Sequence, residues 1–168
     1  MAGLELGTRY YNDPIPPVPE DTTYYPVSAL SIGVEYRHLD DAVVNEVFNT
    51  ATLQKSIAEG RPDVIEDEGV SLHVCDGETG TEYLRFDVFV KEPHYHYIVP
   101  GEYNVVIPFD PAASGAMFEW AIGCIRERLE PMLANCGASE LWQRVDPAAL
   151  EQELPTVIDA ANLAVAAS

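Results

Sequence analysis

Residues 70–109 read VSLHVCDGETGTEYLRFDVFVKEPHYHYIVPGEYNVVIPF. Apolar and polar side chains alternate through four parts of this segment, and short links containing Gly or Pro separate them. Alternation with a period of two is typical of β-strands, and links this short join antiparallel neighbours. The pattern therefore predicts a β-meander with strands at residues 70–75, 82–90, 94–99 and 103–109.

A fifth strand is predicted ahead of the meander, at residues 29–37, where every second side chain is apolar. Asp40 or Asp41 then offers an N-cap for a helix that reaches residue 57. The acidic run at residues 66–68 has no clear periodicity and is predicted to be a loop.

After the meander the apolar period changes to that of a helix, with one apolar stripe over residues 118–136. Pro131 is expected to bend this helix or to end it early. Asp146 and Pro147 have the pattern of a helix start and predict a short helix, and Pro155 is expected to begin the last one. Strands followed by helices predict an α+β fold, an antiparallel meander of about five strands packed on C-terminal helices.

The N-terminal segment, residues 1–26, is predicted to be an extended arm ahead of a single α+β domain at residues 27–168. Five prolines disfavour a helix within it, and two tyrosine pairs lie among them, Tyr10-Tyr11 and Tyr24-Tyr25. Tyrosine gives contact area at a low cost in conformational entropy. The arm is therefore expected to dock, either on its own domain or on a partner or second subunit.

Composition limits the classes of partner. Twenty-eight acidic and nine basic residues give a formal net charge of −19. Nucleic acids and anionic membranes are bound through clustered Lys and Arg, so neither is an expected partner. Three cysteines, an odd number, argue against a disulfide framework, and no signal peptide is recognisable, so a cytoplasmic location is expected.

The strand pattern also assigns side chains to faces of the sheet. If the strands at 70–75 and 82–90 pair over an odd loop, one face carries polar side chains: Ser71, His73, Cys75, Tyr83, Arg85 and Asp87. His94 and His96 join this face in one register of the next strand, and a slip of one residue puts them beside apolar neighbours.

Two imidazoles with a thiolate or carboxylate are ligands typical of zinc or iron. The sequence therefore gives four candidate ligands, His94, His96, His73 and Cys75, with Asp87 placed to orient an imidazole. The same side chains can instead form a hydrogen-bonded network or a subunit contact without a metal, or act as acid and base.

No complete catalytic motif accompanies the histidines. The function expected from the sequence is that of a small cytosolic interaction protein, an accessory subunit of a larger complex or a homo-oligomer that associates through its arm. The alternative is a metal-dependent enzyme or metal-binding domain that uses His94 and His96.

Overall fold

The computed structural model describes residues 4–11, 13–43 and 66–168. These ranges contain seven strands: β1 (Tyr10–Tyr11), β2 (Thr22–Val27), β3 (Leu30–Asp40), β4 (Glu66–Asp76), β5 (Glu82–Phe89), β6 (His94–Val99) and β7 (Tyr103–Pro108). They form one antiparallel sheet in the order β1-β7-β6-β5-β4-β3-β2. The predicted α+β class and meander are confirmed, but the expected number of about five strands is wrong.

The two additional strands lie in the predicted arm. β1 pairs with β7 at one edge of the sheet, and β2 pairs with β3 at the opposite edge. Pro26 lies within β2, where a missing N–H is tolerated because an edge strand needs partners on one side only. The prolines therefore did not exclude strand pairing at the two ends of this segment.

The helix predicted to begin at Asp40 or Asp41 falls mostly outside the described residues. Residues 41–43 are helical, and the carboxylate of Asp40 accepts a hydrogen bond of 2.8 Å from the N–H of Val43. This contact is typical of an N-cap.

The acidic run at residues 66–68 is the start of β4, so its assignment to a loop is wrong. Asp67 pairs with Leu39 of β3, and its carboxylate accepts the backbone N–H groups of Lys91 and Glu92 at 3.0 and 2.8 Å. These backbone contacts satisfy the acidic side chain and hold the β5–β6 connection against β4.

Five helices follow the sheet: α1 (Pro111–Ser114), α2 (Met117–Glu127), α3 (Leu129–Asn135), α4 (Ser139–Trp142) and α5 (Pro147–Ala167). Asp110 and Asp146 cap α1 and α5 through side-chain hydrogen bonds, each with Pro at the start of the helix. Among the helices in the described ranges, none has the length and apolar character needed to cross a membrane.

The two helical prolines have different effects. The predicted helix over residues 118–136 breaks at Arg128, because the ring of Pro131 would clash with the carbonyl four residues earlier. Pro155, expected to begin a helix, lies inside α5 instead. Leu150, Leu154, Val157 and Ala161 form a continuous buried stripe through this proline, and packing of that stripe against the sheet maintains the helix.

The sheet has one apolar and one polar face. The helices cover the apolar face, whose buried side chains form the hydrophobic core: Leu30, Ile32 and Val34 from β3, Val70, Leu72 and Val74 from β4, and Leu84 and Phe86 from β5. The opposite face also carries buried side chains, and many are ionisable: Glu35, Arg37, His73, Arg85, Asp87 and His96. Burying unpaired charge is costly, so the partners of these groups decide what the face can do.

Candidate metal centre

The register of β5 and β6 determines the position of the two histidines of the sequence HYHY. His94 lies opposite Asp87, and His96 lies opposite Arg85. Directly opposed residues of antiparallel strands project to the same face. Of the two registers considered from the sequence, the structure has the one that places both imidazoles on the polar face.

Both imidazoles contact the same carboxylate oxygen. The Nε2 atom of His94 lies 3.1 Å from Oδ2 of Asp87, and Nε2 of His96 lies 2.9 Å from it. The other oxygen, Oδ1, accepts a short hydrogen bond from the hydroxyl of Ser71. One ligand atom from each of Asp87, His94 and His96 can be chosen so that all three lie within 4.8 Å of one another.

The second nitrogen of each ring faces an oxygen. His94 Nδ1 lies 2.7 Å from the backbone carbonyl of Glu92, and His96 Nδ1 lies 2.9 Å from Oδ1 of Asn104. An oxygen acceptor at Nδ1 fixes the proton there and leaves a lone pair on Nε2 of a neutral imidazole. Histidines that bind metals are oriented in the same way, by a hydrogen bond from the nitrogen that does not bind the ion.

Two lone pairs and a carboxylate cannot face each other closely unless a cation lies between them. A proton can fill this role. Burial raises the pKa of Asp87, but its hydrogen bonds to the two histidines outweigh burial and hold that pKa well below its ordinary value. Burial lowers the pKa of His94, but the hydrogen bond and charge of Asp87 raise it above the ordinary value. Burial dominates at His96 and lowers its pKa.

A metal ion also fits the cluster. Zinc and iron bind these atom types at roughly 2.0–2.2 Å, so two ligands at right angles on one ion lie about 3.0 Å apart. The observed separations from Asp87 Oδ2 are 2.9 and 3.1 Å. Two histidines and one carboxylate are also the ligand set of a facial triad, which leaves coordination positions open. The side chain of His94 retains 14% of its exposure, which leaves that side of the cluster the most open.

His73 lies on the same face but in a separate cluster. Its Nδ1 lies 2.7 Å from Glu82 and its Nε2 lies 3.1 Å from Glu35, so the ring bridges two carboxylates from opposite sides. Gly33 lies opposite His73 on β3. There is no room for a side chain at this position, because a Cβ would come within 2.8 Å of the ring of Tyr24. The structure does not bring His73 together with His94 and His96, and both of its ring nitrogens are bonded to other side chains.

Cys75 is also separate from the histidine pair. A β-bulge after Val74 places Glu82 opposite Cys75, and Tyr83 packs against the hydrophobic core. The prediction that Tyr83 shares the polar face is therefore wrong, because the bulge inserts one residue and reverses the alternation. Burial, with the charge of Glu82, raises the pKa of the Cys75 thiol to about 12, so it stays protonated at neutral pH.

Four residues of the polar face were not named as site residues from the sequence: Glu35, Arg37, Glu82 and Asn104. The polar positions of β3, which alternate with Val34 and Tyr36, could have indicated Glu35 and Arg37. Glu82 was hidden by the bulge. It makes a bidentate ion pair with Arg85 through contacts of 2.8 and 2.7 Å.

The His73 cluster predicts a loss of stability at alkaline pH. Burial lowers the pKa of His73, but hydrogen bonds to Glu35 and Glu82 outweigh burial and raise it above 6.5. This contribution to the free energy of unfolding is complete below about pH 6.5 and is lost as the pH rises through the raised pKa. Urea unfolding of the protein between pH 6 and 9 is expected to show the decline, and the His73→Gln variant should show a smaller one, because the raised pKa of His94 still contributes in this range. Equal pH slopes in the two proteins would contradict the prediction.

A family model described as "Domain of unknown function (DUF7700)" matches residues 24–161. The matched range contains Asp87, His94 and His96. No curated protein matches the chain. No solved structure matches it either.

Proposed function

The chain belongs to the DUF7700 family of domains of unknown function, and from its own residues we propose that it is a metal-binding domain. Asp87, His94 and His96 hold one zinc or iron(II) ion in this proposal. The observation that carries it is the convergence of both Nε2 atoms on one buried carboxylate oxygen, with both Nδ1 atoms facing protein oxygens.

Among residues 4–11, 13–43 and 66–168, the geometry favours a site of three protein ligands over a closed structural site. Three protein ligands leave at least one position for water or a substrate, which is typical of catalytic sites, whereas structural zinc is held by four. The metal-dependent enzyme is therefore the stronger form of this proposal. Metal binding is its first test, because every reaction at the site would depend on it.

Elemental analysis of the protein, purified without a histidine tag, tests the proposal directly. We expect about one zinc or iron per chain, and we expect His94→Ala and His96→Ala each to remove it, because two remaining ligands bind these ions weakly. His38→Ala is the matched control, since His38 is an exposed sheet histidine that pairs with Glu68 at 2.9 Å.

Calorimetric titration of the metal-free protein with zinc gives an independent measurement. Saturable binding at one site should occur in the wild type and in His38→Ala, and not in His94→Ala or His96→Ala. A wild-type protein that is purified without metal and also gives no heat with zinc or iron(II) would overturn the proposal in favour of a proton-sharing network.

An interaction protein that acts in the cytoplasm is a second proposal, supported by the N-terminal segment. Tyr11, Tyr24 and Tyr103 are between 43% and 54% exposed, although tyrosine side chains are large and partly apolar. Tyr11 and Tyr103 lie edge to face at 5.9 Å on the β1–β7 edge. Exposed tyrosines are enriched at protein interfaces, so this edge is a suitable surface for a partner or a second copy.

A further inference from the structure

Residues 13–21, called the strap below, connect β1 and β2, which are consecutive along the chain and yet form opposite edges of the sheet. Six strand spacings separate them, which corresponds to about 29 Å across the sheet. The strap crosses the polar face, because its backbone contacts side chains of β3 and β5 there. A single short segment thus contacts three of the buried ionisable groups, Glu35, Arg37 and Arg85.

The prolines of the strap make this crossing feasible. The chain from Tyr11 to Thr22 covers about 34 Å as polyproline II and only about 17 Å as an α-helix. A turn at the C-terminal end of the strap shortens the distance that the chain can span. In this turn the carbonyl of Val18 accepts hydrogen bonds from the N–H groups of Asp21 and Thr22 at 3.1 and 3.0 Å. The strap therefore has almost no slack.

The polar contacts between face and strap involve the backbone of the strap. Arg85 donates to the carbonyl of Ile15 at 2.7 Å, and Arg37 donates to the carbonyl of Pro16 at 3.1 Å. The carboxylate of Glu35 accepts the N–H of Val18 at 3.2 Å. Any extended segment with the same spacing of carbonyl and N–H groups would satisfy these three side chains.

The face needs such a segment. Arg85, Arg37 and Glu35 are only 1%, 4% and 2% exposed, whereas Val18 of the strap is 38% exposed. Removing the strap would expose these three side chains to water and remove their hydrogen bonds to its backbone. The ion pairs Arg37–Glu35 and Arg85–Glu82 hold these side chains in place, and the backbone of the strap binds to them.

We propose that the polar face is a binding site for an extended, proline-rich segment, and that the strap of a second copy of this chain can occupy it by exchange. Exchange forms the same hydrogen bonds in both copies and releases the tight crossing within one copy, which favours domain swapping. This names a partner for the interaction role proposed above, and it is independent of the metal ligands.

Shortening the strap tests the proposal. Deleting residues 19–21 leaves about 25 Å of polyproline between β1 and β2, which is too short for the crossing of about 29 Å. We expect the shortened chain to form a dimer in light scattering after size-exclusion chromatography. The matched control inserts Gly-Ser-Gly after Asp21, which adds slack and keeps the residues that contact the polar face, Ile15, Pro16 and Val18, and we expect it to be monomeric.

A folded, monomeric shortened chain would overturn strap exchange. If the shortened chain fails to fold, native mass spectrometry of the intact chain tests the proposal instead. ¹⁵N-labelled and unlabelled protein, incubated together at high concentration, should give mixed dimers. The absence of mixed dimers would also overturn the proposal. Capture of a different protein by a monomeric intact chain would support the broader interaction role alone. Metal content is measured on the same samples, so failure of the metal proposal is seen separately.

Discussion

The variant Asp87→Ala is expected to lose metal binding and to lower the free energy of unfolding by about 3–5 kcal/mol. Asp87 is 3% exposed and is bonded to Ser71, His94 and His96. Its removal leaves two buried imidazoles without their shared acceptor, and a charge on either ring then has no counter-ion. Urea unfolding and zinc titration measure the two losses.

Two further variants separate charge from packing. Asp87→Asn preserves the volume and one oxygen acceptor but removes the charge, so we expect it to abolish metal binding at a smaller cost in stability. Asp159→Asn, an exposed aspartate on α5, is the control and should change stability by less than about 0.5 kcal/mol. Full metal binding by Asp87→Ala would contradict the assignment of this carboxylate as a ligand.

The sheet was predictable where side chains alternate and links are short. The boundaries of β6 match the prediction, and β5 and β7 each differ from it by one residue. Strand β2 forms a local hairpin with β3 across Ser28 and Ala29, and Pro26 obscured it in the sequence. Strand β1 was not predictable from local pattern, since its partner β7 is distant along the chain. Local sequence carries no signal for contacts of that kind, because the partners become defined only once the whole sheet forms.

The candidate site was predictable only in part, because the local pattern assigns side chains to a face of the sheet but does not fix how the strands pair. The spacing of His94 and His96 put both on one side of a strand, and period-two alternation put Asp87 on the matching face of its neighbour. The register between β5 and β6 could not be derived, because the Glu92-Pro93 link does not fix it. The β-bulge after Val74 has no sequence signature, so the place of Glu82 beside His73 became visible only in the structure.

Ion pairs and hydrogen bonds within the polar face shift the pKa values of its buried side chains. Burial raises the pKa of Glu82, but bonds to Arg85 and His73 outweigh burial and lower it to about 2. A depressed carboxylate pKa contributes stability that is present above about pH 4.5 and is lost as the pH falls towards 2. The face should therefore lose stability in acid through Glu82 and at alkaline pH through His73, with its maximum between the two.

A double-mutant cycle on Arg85 and Glu82 is expected to give the largest coupling between any two side chains of this face. Arg85 is 1% exposed and binds both oxygens of Glu82. Arg85→Met alone leaves the carbonyl of Ile15 without this donor and Glu82 without its ion pair, although Glu82 keeps its bond to His73. Glu82→Met alone leaves the buried guanidinium without its two carboxylate bonds and one nitrogen of His73 without its partner. Each single change should cost about 3–5 kcal/mol.

The double variant should be more stable than the sum of the single losses implies, because methionine at both positions removes both charges together and fills similar volume. The exposed pair Arg126 and Glu151, with a contact of 2.8 Å, is the matched control. Its coupling should be less than about 1 kcal/mol, since solvent screens the charges. Equal couplings in the two cycles, measured by urea unfolding at pH 7, would mean that water reaches Arg85 and that the strap does not seal the polar face.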